Sequence, residues 1–288
     1  MYRVNIHERM GPKAIGTVCL WLFAILLMAQ PVLAGLVIKR MSRETLPNGQ
    51  IEQEELTSWL QDNRVKTLSK DGDIVILDLA KGNIIMIDPA RKEYSVTPLK
   101  KMISSVEQGI KQLREQFNAL SPEQRAMVEK MMGIPKAGAG SSLKLKDTGK
   151  TGTIAGYPAH NYVILKDGKP VADYWVSGRL RDAILKEIDK SKMDAFEQAM
   201  NRIASQAMPF GSPETQEMLK IEKEIQKHGE ILKKVQKLDT GGDRLSIVIS
   251  VKAASIPASE FQVPADYKKI RNPAADMSGV FSGGHGAR

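Results

Sequence analysis

Residues 148–177 read TGKTGTIAGYPAHNYVILKDGKPVADYWVS, and this stretch predicts three β-strands in succession. A glycine turn at Gly156 separates a short first strand from a second strand over 159–166. Asp167 and Gly168 then form a two-residue turn, because glycine readily adopts the positive backbone angle that tight hairpin turns require. The third strand runs to Ser177. We expect this segment to be the central hairpin of an antiparallel sheet.

The chain before this hairpin has the pattern of an antiparallel meander. Turns such as Asn48-Gly49 and Asp71-Gly72 separate short apolar segments, which is typical of consecutive strands. The predicted strands cover 36–43, 51–60, 64–69, 73–79, 83–88 and 93–98. The runs DIVILDL (73–79) and NIIMID (83–88) are apolar on both faces, so we expect both sides of the sheet to be covered there.

Helices interrupt the strands in two places. Apolar residues spaced by three and four predict helices over 100–118, 122–132, 180–207 and 213–227. Two last strands are expected over 230–238 and 245–253. The sequence therefore predicts a single α+β domain over 35–272, with helical inserts near 100–132 and 179–228 and a Gly/Ser-rich disordered tail over 273–288.

The first 34 residues have the features of a secretory signal peptide. Arg3, Arg9 and Lys13 precede an uncharged run over 14–29, and small residues lead to an expected cleavage after Ala34. The alternative is an uncleaved anchor in the inner membrane, but the run is shorter than the roughly 20 residues that span a bilayer. We expect a periplasmic protein without cysteine, because Cys19 lies in the removed segment.

The charge of the chain bears on its partners. The formal net charge is +9, which favours contact with an anionic membrane surface or an acidic partner. The export signal argues against nucleic acid, which is the other common partner of basic proteins. No pattern in the sequence specifies an oligomeric state.

No motif in the sequence predicts a catalytic, metal or cofactor site. Gly149-Lys150-Thr151 imitates the end of a phosphate-binding loop, but Lys144 occupies the position of the required first glycine. His160, His228 and His285 lack the short spacing of a helical metal pair. No Gly-x-Ser-x-Gly elbow is present. We therefore expect a protein that is not an enzyme and carries no cofactor.

Three phrases carry a resemblance to a known group of proteins. They are TGTIAGYPAHNY (151–162), DYWVS (173–177) and IPASEFQVPADYKKI (256–270). Over about 35–271 the chain resembles an uncharacterised family of exported bacterial domains of unknown function. The fold of that family is similar to the periplasmic lipoprotein carriers and outer-membrane lipoprotein receptors. The resemblance implies a curved antiparallel sheet, or half-barrel, that cups amphipathic helices, and it implies no chemistry.

The apolar residues of the predicted cup suggest a binding mode. Eight of the eleven methionines after residue 34 fall in the two helical inserts, 100–132 and 179–228, and methionine adapts its shape to varied apolar partners. Three large aromatic residues lie on strands. The candidate ligand-binding residues are Trp59, Tyr162, Trp175, Met193 and Met200. The alternative is that the same side chains only fill the core between sheet and helices.

Two functions of different class follow. The first is a binding or carrier protein for a lipid or a lipoprotein. The second is an envelope scaffold that contacts an anionic membrane or a partner protein through its basic surface. An apolar cavity of several hundred Å³ between helices and sheet would favour the first, and a filled interior the second.

Overall fold

The computed structural model describes residues 35–46, 48–131, 142–207, 213–238 and 241–271. The expected signal peptide (1–34) and tail (273–288) lie outside the described residues, as do Cys19 and His285. Within the described part, no helix is long and apolar enough to cross a membrane.

A single sheet of twelve strands forms the framework of the described chain. The strands are β1 (Gly35–Thr45), β2 (Ile51–Gln61), β3 (Arg64–Leu68), β4 (Ile74–Asp78), β5 (Asn83–Asp88), β6 (Glu93–Pro98), β7 (Leu143–Ile154), β8 (Tyr157–Lys166), β9 (Lys169–Ser177), β10 (Glu230–Lys237), β11 (Asp243–Ala254) and β12 (Lys268–Lys269). Their order across the sheet is β12-β6-β5-β4-β3-β2-β1-β11-β10-β9-β8-β7. Neighbouring strands are antiparallel, except that β12 runs parallel to β6.

Helices pack against this sheet and against each other. They are α1 (Leu99–Ala119), α2 (Pro122–Met131), α3 (Gly178–Glu187), α4 (Lys190–Ala207) and α5 (Pro213–Lys227), with a 3₁₀ helix at Ala258–Phe261. The predicted α+β fold with a curved, mostly antiparallel sheet is confirmed.

The prediction of a single helix over 180–207 is wrong, because the helix ends before Ile188 and a second helix begins after it. This residue has extended backbone angles (φ −122°, ψ 122°) and is fully buried. The following Asp189 then starts α4, since its carboxylate accepts hydrogen bonds from the backbone N–H groups of Ser191 and Lys192. The apolar stripe runs on through the break, so periodicity alone did not reveal it.

The hairpin over 148–177 is not central, which corrects the expectation from its sequence. It forms β7, β8 and β9 at one edge of the sheet, whereas β1 and β2 lie in the middle. The turns themselves are as predicted: Ala155-Gly156 and Asp167-Gly168 each have two consecutive positive φ angles, as type I′ hairpin turns require. The hairpin lies at the edge because β1 pairs with β11, a strand far away in sequence, and β10, β9, β8 and β7 then follow outward from β11.

The strands β1 to β4 are covered on both faces, as predicted for the run 73–79. The same expectation for the run 83–88 is wrong, because Met86 of β5 is 42% exposed on the face opposite Ile85 and Ile87. On one face, Leu36 and Ile38 of β1 and Leu60 of β2 pack with Leu180 and Ile184 of α3. We call this side the cavity face. On the opposite face, a second cluster joins the strands to the C-terminal segment; it contains Ile76, Ile87, Ile256 and Phe261. At the β7 edge, α5 buries Ile225 against β8 and β9 in a third cluster.

Candidate ligand-binding cavity

A cavity of about 280 Å³ lies between the cavity face and the helices α3 and α4. Most of its wall is apolar and comes from the strands β1 to β4, the residue after β4 and the two helices. The apolar side chains are Ile38, Leu56, Leu60, Val65, Leu77, Leu79, Ile184, Leu185, Met193 and Phe196. The interior between helices and sheet is therefore not completely filled.

The periodicity of each element explains why these side chains converge. Leu56, Ser58 and Leu60 alternate along β2 and so share one face of the sheet. Arg181, Ile184 and Leu185 are spaced by three and four on α3, as are Met193, Phe196 and Glu197 on α4. Each helix thus presents one apolar stripe with a charged residue at its margin.

Two ion pairs supply the charged groups of the wall. The Arg40 guanidinium donates to the Glu230 carboxylate at 3.2 Å. Arg181 of α3 donates to both carboxylate oxygens of Glu197 on α4, each at 3.2 Å. These charges already satisfy each other, so the apolar remainder of the wall governs what the cavity can hold.

The loop between β2 and β3 holds the junction of α3 and α4 against the sheet. The Asn63 backbone N–H donates to the carbonyl of Glu187 at 2.8 Å, and its side-chain oxygen accepts from the N–H of Asp189 at 2.7 Å. The Asn63 carbonyl accepts from the N–H of Leu79 at 2.9 Å. Burial raises the pKa of the Glu187 carboxyl, and the Asp62 carboxylate adds to this effect. Asn63 therefore positions both helices over the cavity.

The structure brings one of the five predicted site residues into this cavity, namely Met193. Met200 lies farther along α4, half-buried and outside the wall. Trp59 lies on the opposite face, where the Lys66 ammonium sits 5.1 Å from its ring centre. Trp175 packs at the margin of the core around α3, and Tyr162 lines a separate groove. That any of the five binds a ligand stays a prediction.

Sequence reasoning missed the charged part of the wall. Arg40 follows Leu36 and Ile38 on the inward-facing side of β1. A charged residue in this otherwise apolar alternation was the only feature of the sequence that indicated a charged group in the wall. Glu230 lies 190 residues farther along the chain, so no local pattern connects the two. In the described part of the chain, no group of three or more His, Cys, Asp or Glu residues is arranged to hold a metal ion.

Sequence comparison finds a similarity to one family over about half of the chain. Residues 127–267 match the family described as Domain of unknown function (DUF4412), which confirms the predicted resemblance to a family of unknown function. No curated protein sequence matches the chain.

Comparison in structure finds similar folds at low identity. An uncharacterized conserved protein from Thermus thermophilus is 8% identical, with a TM-score of 0.34, over 88% of this chain and 99% of that one. The MucA/MucB complex of Pseudomonas aeruginosa contains a chain that is 11% identical, with a TM-score of 0.33, over 82% of this chain and 58% of that one. A LolA superfamily protein from Nitrosomonas europaea is 8% identical, with a TM-score of 0.26, over 81% of this chain and 91% of that one. Each of these TM-scores lies below 0.5.

Proposed function

We propose that the protein is a non-enzymatic binding or carrier module of the cell envelope, which holds a lipid or the acyl part of a lipidated molecule. The apolar cavity between the sheet and the helices α3 and α4 is the observation that supports this proposal. The predicted signal peptide supports a periplasmic location. No nucleophile, paired base or metal takes part in the proposed function.

The dimensions of the cavity suit one alkyl chain. Its volume of about 280 Å³ lies just below the usual range for small-molecule pockets, roughly 300–1,000 Å³. At about 30 Å³ per water-sized group, it holds on the order of nine such groups. Burying eight methylene groups contributes about 6 kcal/mol before the cost of association. We therefore expect affinities for single acyl chains that are micromolar or weaker.

Filling the cavity tests the proposal. Val65→Phe places a phenyl ring in the wall of the cavity. Val37→Phe makes the same change on the face of the sheet that points away from the cavity. We expect Val65→Phe to weaken binding of a fluorescent medium-chain fatty acid at least tenfold, because the ring occupies the space of the chain. The Val37→Phe variant should bind like the wild type. Fluorescence titration gives the affinities, and thermal unfolding verifies that both variants fold.

Native mass spectrometry gives an independent result. Protein purified from its own envelope should retain a bound lipid, and Val65→Phe should retain less. A wild type that carries no lipid and does not bind the fluorescent fatty acid would refute the proposal.

A second candidate function is contact with an anionic membrane. The edge strand β7 exposes Lys144, Lys146 and Lys150, and none of the three has an ion pair among the described residues. Each lysine near an anionic surface adds about 1 kcal/mol to binding.

Vesicle cosedimentation tests this second candidate. We expect phosphatidylglycerol vesicles, and not phosphatidylcholine vesicles, to sediment the protein at low salt. The double variant Lys144→Glu/Lys146→Glu should no longer sediment with these vesicles. The control, Lys100→Glu/Lys101→Glu on α1, makes the same charge change at another exposed site and should have a smaller effect. Equal effects of the two pairs would mean that β7 is not the contact surface.

A further inference from the structure

A second concave site lies where β8 and β9 meet the beginning of α3 and the end of α5. Its volume is about 450 Å³, and it shares no lining residue with the ligand cavity. Six of its ten lining residues come from 148–177, a stretch that contributes nothing to the wall of the ligand cavity. We call this site the edge groove; its principal residues are His160, Tyr162, Arg179, Asp182 and His228.

Aromatic rings form one wall of the edge groove. The Tyr162 ring lies 5.0 Å from the ring of His160 at an interplanar angle of 57°, and 5.0 Å from the ring of His228 at 25°. A 2.6 Å hydrogen bond between His160 Nε2 and the Asp147 carboxylate holds the first imidazole in place. His228 follows the last turn of α5, where its N–H donates to the carbonyl of Ile225. A residue of β7 therefore holds the His160 ring, the end of α5 places His228, and the Tyr162 ring lies in contact with both.

The Tyr162 hydroxyl is the polar group at the tip of this aromatic wall. The residue is only 7% exposed, yet its hydroxyl has no hydrogen bond among the residues that the structure describes. The hydroxyl of Tyr174, on the neighbouring strand, donates instead to the Glu222 carboxylate at 2.5 Å. The hydroxyl oxygen is not among the fully buried polar atoms that lack a partner, so it is accessible from the edge groove. A ligand atom in the groove can therefore accept a hydrogen bond from it.

The charge at the start of α3 also favours an acceptor. The first turn of α3 has no acidic residue, and its second residue is the exposed Arg179. A cation at a helix N-terminus is unfavourable because the macrodipole is positive there. Asp182, one turn farther on, is the acidic member of the lining. An anion between Arg179 and the rings would be stabilised by the guanidinium and by the helix end together.

We propose that the edge groove binds a phosphate group, either as free phosphate or as the head group of a phospholipid. Phosphate offers several acceptor oxygens, which match the Tyr162 hydroxyl, the His228 imidazole and the forked Arg179 guanidinium, while the N–H of His160 is already bonded to Asp147. The apolar part of the lining, including Val176 and Ala159, leaves room for the body that carries the phosphate. This site is independent of the acyl-binding cavity, so either proposal can fail without the other.

NMR titration of the full chain tests the proposal. The ring signals of His160 and His228 are followed while sodium phosphate is added at constant pH and ionic strength, and then while dihexanoyl phosphatidic acid is added below its micelle concentration. Saturable shifts with both probes mean that the phosphate group alone is recognised. Saturable shifts with the lipid alone mean that a phospholipid head group is the ligand; both results support the proposal.

Two variants locate the binding. Tyr162→Phe removes only the unpaired hydroxyl, and Arg179→Gln removes the positive charge at the start of α3. We expect each to weaken binding at least tenfold, as loss of a hydrogen bond to a charged group does. Tyr174→Phe is the matched control, because it removes a hydroxyl that already has a partner, and it should bind phosphate like the wild type. Circular dichroism and thermal unfolding confirm that each variant is folded.

Either of two results would overturn the proposal. One is the absence of saturable shifts with both probes. The other is saturable binding of equal strength in the wild type, Tyr162→Phe and Arg179→Gln, since that would place the phosphate elsewhere on this basic protein.

Discussion

Gly229 links α5 to β10 at a place where only glycine fits. Its φ angle is +144°, and a Cβ built on it would overlap the Ser177 carbonyl group and lie 2.5 Å from the Gly178 nitrogen. The close approach holds the end of α5 against the start of α3. The same glycine therefore positions His228 next to the edge groove.

Replacing this glycine should destabilise the protein through both strain and overlap. We expect Gly229→Ala to lower the free energy of unfolding by about 3 kcal/mol or more, because left-handed strain costs about 1–2 kcal/mol and overpacking adds about 1–3 kcal/mol. Gly168→Ala is the control, since Gly168 also has a positive φ (+78°) but nothing lies within 4 Å of its added Cβ. It should lose only about 1–2 kcal/mol. Urea unfolding measures both, and equal losses would contradict the crowding argument.

Turns and helix ends differ in how well local sequence predicts them. The Asp167-Gly168 turn was predicted because glycine makes its backbone geometry easy to form. The break between α3 and α4 was not predicted, because Ile188 and Asp189 are compatible with a helix in isolation. Hydrogen bonds to Asn63, which lies 126 residues before Asp189, stabilise the break instead.

Helix α5 is attached to the sheet by a partly buried polar contact. The Tyr174 hydroxyl donates to Glu222 of α5, and Lys234 of β10 donates to the same carboxylate at 2.6 Å. Burial strongly raises the pKa of Tyr174, and the charge of Glu222 adds to this effect. The folded protein therefore keeps this hydroxyl protonated at a pH where the unfolded chain loses the proton.

This difference predicts a specific loss of stability in alkali. A free tyrosine ionises near pH 10, so the stability that Tyr174 contributes is complete below that pH and is lost as the pH rises above it. Wild type should lose about 1.4 kcal/mol per pH unit from this group, and Tyr174→Phe should not. We expect the stability gap between the two to stay constant from pH 7 to 9 and to narrow from pH 10 to 11. Urea unfolding at each pH measures the gap, and a constant gap up to pH 11 would show that the hydroxyl is not protected.

The whole sheet depends on one pairing between the two ends of the described chain. β1 pairs with β11 along its whole length: Gly35 lies opposite Ala254 at one end, and Thr45 lies opposite Asp243 at the other. This pairing brings the N-terminal meander next to the C-terminal strands. This pairing puts 148–177 at an edge and leaves β1 and β2 in the middle. It also brings Arg40 to Glu230, so the wall of the ligand cavity is completed by parts of the chain that are distant in sequence.

Local patterns in the amino-acid sequence were sufficient for the strands, most turns, the apolar stripes of the helices and the α+β class. These features depend on alternation, helical spacing and backbone preferences, which act over a few residues. Long-range packing decided the edge position of 148–177, the division of Trp59 and Met193 between opposite faces, and the two separate concave sites. These depend on strand order and on contacts between distant segments. A strand carries apolar side chains on two faces, and only the assembled sheet settles which face borders a cavity and which is covered.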